Sequence, residues 1–428
     1  MGLPGAHVFF EVRHDLRATF RSSGDREVVA TRSRGFAAVA GGRVHCTDPD
    51  PDTIPSLAAA AMRGGPPPAG LSQPSARDRS LDLRVESELL EWVDVIGAWV
   101  DRNRAFLGPR VGPLHWNVQL VAFNQNIWVG LAPGSVVGDL RRGARLSIRL
   151  GLEDLPCGVA EDLVLGTAAS APDESVFERM LEKVEALRGG VPASAPPGET
   201  AAVFAPGAAG VVAHELFGHA AEADAVRRGD SWLASVAHGA IPSDLSIVDD
   251  PSRGRGAWTV DDEGSPARAV EIVRDGRFVS WLHDRVSAAA SGVEPTGHGR
   301  RATYLDGVQP RMGCTFVSAG QDDPEDILRG TRKGILIRRI AAGQVNPRSG
   351  RGRFVVTEAD RIEGGRRGGP LRPFVVEIDA PSCVRHLDRI GHDLVFDSCV
   401  GSCVRDGQPL AVSVGAPTIR LGVITVVS

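Results

Sequence analysis

The stretch Val211-Val-Ala-His214-Glu215-Leu-Phe-Gly218-His219-Ala-Ala-Glu222-Ala-Asp224 constrains this chain more than any other. Two imidazoles and a carboxylate fall within six residues, behind an apolar run and ahead of a second acidic pair, Glu222 and Asp224. Neutral imidazole is the commonest protein ligand of divalent transition metals. A carboxylate beside a metal-activated water can take its proton. The residue types are those of a metallohydrolase site, but the spacing is unusual. In the His-Glu-x-x-His motif of zinc proteases the histidines lie four apart on one helix face; here His214 and His219 are five apart. At about 100° per residue a regular α-helix would swing the second ring about 140° away from the first. Both rings can meet one ion only if the helix loosens, and a single-turn π-bulge does that. An irregular turn across Glu215 to His219 is therefore expected, with Gly218 as its weak point. The alternative is a regular helix carrying one buried and one solvated histidine.

The remaining composition narrows the class. A chain of 428 residues has room for two or three domains. At 42% hydrophobic and 24% charged it reads as an ordinary soluble globular protein. A formal net charge of -5 gives no bulk electrostatic case for nucleic acid or an anionic membrane. No apolar run approaches the roughly 20 residues of a membrane span. Met1 to Val12 lacks the charged and apolar regions of a signal peptide, so a cytoplasmic location is expected. The six cysteines are scattered, unlike the dense framework of a small secreted domain.

In chain order, His7–Val12, Glu27–Thr31 and Gly35–Cys46 read as an antiparallel meander, and Ile54–Met62 as a short helix. The Gly-Gly-Pro-Pro-Pro segment within 64–80 reads as a linker or mobile loop. Leu83–Val100 is amphipathic, with Leu89, Trp92, Val93, Ile96 and Val100 near the helical period. Trp116–Leu131 and Arg145–Leu152 are strand-like, and Asp173 caps a second helix that ends near Leu187. The expected fold is α+β. An N-terminal mixed domain, 1–190, carries antiparallel strands and two long helices; a 191–200 linker follows; a β-rich domain, 201–428, carries the histidine helix. Within it, Ala202–Phe204, Ile247–Asp249, Ala257–Val260 and Ala269–Val279 read as strands, and Asp323-Pro324-Glu325 as a helix start. The run Asp261-Asp262-Glu263 has the residue types for a hard cation, although a solvated loop is the plainer expectation.

A catalytic zinc site commonly has three protein ligands and one open position. His238, His283, His298, His386, His392 and the later cysteines all follow the motif. Asp397-Ser-Cys399-Val-Gly-Ser-Cys403 is the most suggestive segment, because a thiolate on a glycine-bearing loop can reach an ion. Spacing does not choose between Cys399 and Cys403, and taken by itself each reads more readily as a small buried residue.

The motif His214-Glu-Leu-Phe-Gly-His219-Ala-Ala-Glu-Ala-Asp resembles that of the TldD/PmbA (TldD/TldE) family of peptidases and modulators of peptide maturation. Further blocks agree in order: Asp261–Pro266, Pro295–Arg301 with Tyr304, Pro310–Met312, Gly343–Val345, Gly391–Leu394 and Cys403–Gln408. They cover most of 202–428; the N-terminal half is compatible but less specific, with a shorter opening than is usual in the family. The resemblance implies a zinc ion on His214, His219 and Cys403, with Glu215 activating a water. At Cys399 the family more typically has a small residue, so this second thiol is a departure that could compete for zinc or form a disulfide. The resemblance also implies the metal-bearing, TldD-like subunit, paired with a metal-free TldE/PmbA-like partner or with itself. Its substrates would be unfolded peptides held extended, in leader-peptide removal or turnover of small proteins. Arg300, Arg301 and Tyr304 are candidates to line the peptide cleft, Tyr304 or His298 to stabilise an oxyanion, and Glu222 to orient a ligand. The other reading is a peptide-binding or assembly protein whose zinc is structural and closed by a fourth ligand, such as Cys399 or Asp397.

Overall fold

The computed structural model describes residues 7–39, 43–47, 87–103, 114–131, 135–152, 159–188, 192–236, 240–397 and 401–427. The expected Ile54–Met62 helix, the 64–80 linker, His238 and Cys399 lie outside these residues.

The first half is built on an antiparallel sheet in the order β3-β2-β1-β4-β5-β6. Its strands are β1 (His7–Arg21), β2 (Arg26–Val39), β3 (Arg43–Thr47), β4 (Leu114–Leu131), β5 (Ser135–Leu152) and β6 (Val159–Leu165). They run further than apolar alternation suggested. β1 continues through Arg13-His14-Asp15, and Glu27–Thr31 merges with Gly35–Val39 into the single strand β2. Every second residue faces the same way, so Leu16, Ala18 and Phe20 align with Ala122, Leu120 and Val118 on β4. That face is buried beneath two helices, at 87–103 and Ser175–Arg188. The first supplies Trp92, Ile96, Trp99 and Val100; the second supplies Phe177, Met180 and Val184. Trp99 stacks on Phe177 with ring centroids 4.7 Å apart. Each such side chain contributes roughly 1.5–3 kcal/mol on burial, which ties both helices to the sheet. Asp173 caps the second helix as expected, its Oδ1 accepting from the Ser175 amide at 2.7 Å.

In the second half, β7 (Gly198–Phe204) begins inside the stretch expected to be a linker. It pairs with Lys333–Asn346 on one side and Ile419–Val427 on the other. Those strands join Arg351–Glu363 and Phe374–Asp379, and the pairings close into a five-strand ring. A second, mixed sheet includes Val270–Arg274, Ile247–Asp249, Cys314–Val317 and Ser413–Ala416. The Ala208–Ala213 helix packs between ring and sheet, against Lys333–Asn346 on one side and Ser413–Ala416 on the other. All six of its residues are buried. Ala257–Val260 forms no strand beyond the bridge of Val260 to Pro266. Asp323 caps Pro324–Gly330 as expected. Among the described residues no helix is long and apolar enough to cross a membrane.

The two halves meet through buried charge. Asp261, Asp262 and Glu263 are 0%, 0% and 2% exposed, which corrects the expectation of a solvated loop. Asp262 accepts from Arg141 Nη1 of β5 at 2.6 Å and from Arg300 Nε at 3.2 Å. Asp261 accepts from the amides of Glu263, Ser265 and Gly299. Burial, reinforced by the nearby Asp284, pushes the Glu263 carboxyl up to about 8, and burial pushes Asp261 up to about 6.

Candidate metal centre

The apolar helix Ala208–Ala213 runs directly into a π-turn, His214–Gly218, and then into a short α-helix from His219. The His219 amide donates to the His214 carbonyl, so residues five apart stack as residues four apart do in an α-helix. The irregular turn expected from the spacing is present. The two rings stand edge to face with centroids 5.3 Å apart. Gly218 serves close packing and not an unusual backbone angle: its φ is −59°, and a Cβ there would lie 2.0 Å from Met312 Sδ.

The third group arrives from a hairpin, Ser402–Arg405 paired with Gln408–Ala411. Its turn, Asp406-Gly407, has φ of 50° and 78°, the left-handed pair that Asp-Gly favours in tight hairpins. Cys403 Sγ lies 3.3 Å from His219 Nε2, and ligand atoms of His214, His219 and Cys403 fall within 4.8 Å of one another. All three residues are buried. Burial alone would raise the Cys403 thiol, but the imidazoles of His219 and His214 outweigh it and hold the thiol well below its ordinary value. Burial would lower His219, but Glu222 and the Cys403 sulfur raise it well above the usual range. The buried thiol of Cys383, without such neighbours, is pushed up to about 12, and burial raises Cys314 as well.

Each ring is held so that Nε2 faces the cluster. His219 Nδ1 lies 3.1 Å from Glu222 Oε2, an acceptor, so the proton sits on Nδ1. Thr315 donates its hydroxyl to Asp249 Oδ2 at 2.6 Å, which leaves its oxygen to accept from His214 Nδ1 at a long 3.5 Å. His214 Nε2 is buried and meets no hydrogen-bond partner. Two imidazole nitrogens and a depressed thiol form the donor set of a soft or borderline cation such as zinc. Partners of this kind typically fix ligand orientation and tautomer.

Sequence reading missed several of these partners. Arg311, 1% exposed, donates to the carbonyls of Cys403 at 2.9 Å and Gln408 at 3.1 Å, pinning the thiol-bearing hairpin. Arg405 lies 3.0 Å from Glu222, so Glu222 joins the hairpin to His219. Arg311 falls in the Pro310–Met312 block, which was the available signal; nothing in sequence marked Thr315 or Asp249.

Four expected residues are placed differently. Arg300 lies over the Trp258 ring, 4.1 Å from its centroid, and Arg301 over Phe9 at 4.5 Å. The Tyr304 ring packs among Phe9, Ala37, Ile127 and Val129, while its amide donates to Glu11 Oε1 at 2.8 Å. His298 Nε2 faces Asp249 Oδ1 at 3.2 Å. All four are buried. They join the halves or brace the Asp249 network, and none lines the cleft beside the cluster. Arg300, Arg301 and Tyr304, expected in the cleft, and His298, expected with Tyr304 as an oxyanion donor, thus lie away from it. His283, another early ligand candidate, faces Ser287 instead.

The cleft measures about 1090 Å³. Glu215, His219 and Cys403 open onto it, the Gly343–Asn346 strand forms one wall, and Arg405 lies on the other. Glu215 Oε2 is 3.8 Å from His219 Nε2.

This geometry defines a metallopeptidase-type centre, and comparison with known proteins agrees. A family model described as the PmbA/TldA metallopeptidase C-terminal domain matches residues 197–428, more than half of the chain. The chain belongs to the TldD/PmbA metallopeptidase family and is homologous to the TldD metalloproteases. It is similar to the metalloprotease TldD homolog of Haemophilus influenzae, 28% identical over 360 residues, covering 81% of this chain and 73% of that protein. The Buchnera aphidicola homolog from the Schizaphis graminum host is 32% identical over 235 residues, covering 54% and 49%. The zinc metalloprotease TldD homolog of Saccharolobus solfataricus is 28% identical over 249 residues, covering 56% and 53%. The chain thus aligns with about half the length of two of these three relatives. The crystal structure of TldE from Thermococcus kodakarensis superposes with a TM-score of 0.68 at 16% identity, covering 99% of this chain and 96% of that one. A Thermotoga maritima protein gives 0.70 at 16%, with the same coverage. At such identities the likeness shows the fold.

Proposed function

We propose that this chain hydrolyses unfolded peptides held extended in the cleft, with zinc on His214, His219 and Cys403 and with Glu215 as the base. The observation that carries this reading is the cluster itself: three donor atoms within 4.8 Å, one a buried imidazole nitrogen without a partner, at the wall of an open cleft. His214, His219 and Cys403 would hold the zinc, which would supply Lewis acidity toward a peptide carbonyl and toward water. Glu215 stands beside His219 and faces the cleft, placed to take the proton of the attacking water and deliver it to the leaving amine.

Peptide positioning falls to the neighbouring strand. Lys333–Asn346 pairs with β7 only over Ile335–Ile337. Among the described residues, its 341–346 stretch therefore keeps one edge without a strand partner. Gly343 on that stretch touches Glu215, since a Cβ there would lie 2.7 Å from Glu215 Cγ. A peptide adding to this edge as a strand would pass the base, held by main-chain hydrogen bonds with little demand on sequence. Leader segments and small unfolded proteins suit such a site. The partner we propose is a metal-free TldE/PmbA-like subunit of the same fold, with a homodimer as the alternative; co-purification of the two subunits distinguishes them.

Replacing Glu215 with Gln tests the mechanism. Glu215→Gln retains zinc and lowers peptide turnover by roughly 10²–10⁴-fold, the range for a general base. Full turnover in that variant would remove Glu215 from the chemistry.

A further inference from the structure

The two walls of the cleft differ in how their charges are satisfied. On the helix side, Arg228 and Arg405 are ion-paired with Asp224, and Arg405 also with Glu222. On the strand side, Arg353 meets Glu377 at 3.1 Å. Arg348 and Arg351, both exposed and both lining the cleft, have no carboxylate partner among the described residues.

The hairpin register places these two guanidinium groups. Arg351 stands opposite Asn346, and Arg353 opposite Gln344, so all four side chains share one face. Arg348 sits in the turn between the strands. A peptide strand added beside Gln344 and Asn346 would lie two strand spacings from Arg351, about 10 Å between backbones. Arginine and acidic side chains reaching toward each other span that gap. Along the strand, Asn346 is three residues beyond Gly343 and hence about 10 Å past Glu215. Unpaired guanidinium forks match carboxylates.

We propose that Arg348 and Arg351 form an anion subsite of the cleft, and that the peptides bound here carry a carboxylate about three residues from the cleaved bond. The carboxylate is an Asp or Glu side chain or the peptide's own C-terminus. This rests on the reading of the cleft as a peptide site.

The test is fluorescence anisotropy with the zinc-loaded full chain carrying Glu215→Gln. The labelled peptides are amidated and bear Glu, Gln or Lys three residues to either side of the centre; one neutral peptide keeps a free C-terminus at that distance. Either the Glu peptide or the free-carboxylate peptide binds about fivefold more tightly than the amidated Gln peptide, the size expected of exposed ion pairs. Which of the two does so identifies the source of the carboxylate. The double variant Arg348→Glu with Arg351→Glu keeps its zinc and prefers the Lys peptide. Equal affinity for all peptides overturns the subsite and leaves the peptide cleft standing. Binding of no peptide removes the cleft reading and the subsite with it. Charge reversal that changes oligomer size but no peptide affinity assigns the arginines to a subunit contact and overturns the subsite.

Discussion

Thr315 and Asp249 do for His214 what Glu222 does for His219: they hold the Nδ1 side so that Nε2 is free for a ligand's role. Thr315→Val keeps the shape of a fully buried side chain but removes the hydroxyl. Zinc affinity should then fall about 10- to 100-fold, as it does when such partners are lost elsewhere. Competition with a chromophoric chelator measures this, and an unchanged affinity would show that His214 needs no such support. The histidines were legible in the sequence because both lie on one short segment. Thr315 and Asp249 were not, because a hydroxyl and a carboxylate on short strands look like any others until the fold brings them together. The same holds for Arg300, Arg301 and Tyr304. As polar residues in one block they looked like binding residues, yet Arg301 and Tyr304 meet Phe9 and Glu11 of the other half, and Arg300 lies over Trp258.

The five-residue spacing called for an irregular turn, and the π-turn His214–Gly218 is one. What spacing could not show is what packs against the glycine at its end. Met312 Sδ occupies the place of a Cβ on Gly218. Gly218→Ala should therefore lower the thermal midpoint and weaken zinc binding together, and Met312→Ala in the same chain should restore part of both. Loss of zinc with no change in thermal midpoint would contradict the packing explanation. Strand lengths were the least legible feature. β5 was expected to start at Arg145 but runs from Ser135, because Arg141, polar in sequence, is fully buried against Asp262. A buried ion pair defeats hydrophobic patterning in both of its partners, and so Asp262 was read as solvated.

The junction between the halves carries a pH signature of its own. Glu263 is 2% exposed and its carboxyl is raised from the ordinary 4.5 to about 8. A raised acid favours folding while neutral, so its contribution is complete below pH 4.5 and fades as pH rises toward about 8. Glu263→Gln should match the parent near pH 5 and exceed it in thermal midpoint near pH 8; parallel curves across that window would show that Glu263 titrates normally. A bent helix between two sheets and a hairpin thiol 184 residues beyond His219 bring three metal-type donors together. The resemblance named Cys403 and spacing alone did not, because no periodicity links segments so far apart. Elemental analysis of the purified full chain tests this directly. We predict about one zinc per chain in the parent and in Cys314→Ala, and little or none in Cys403→Ala; equal zinc in all three would contradict it.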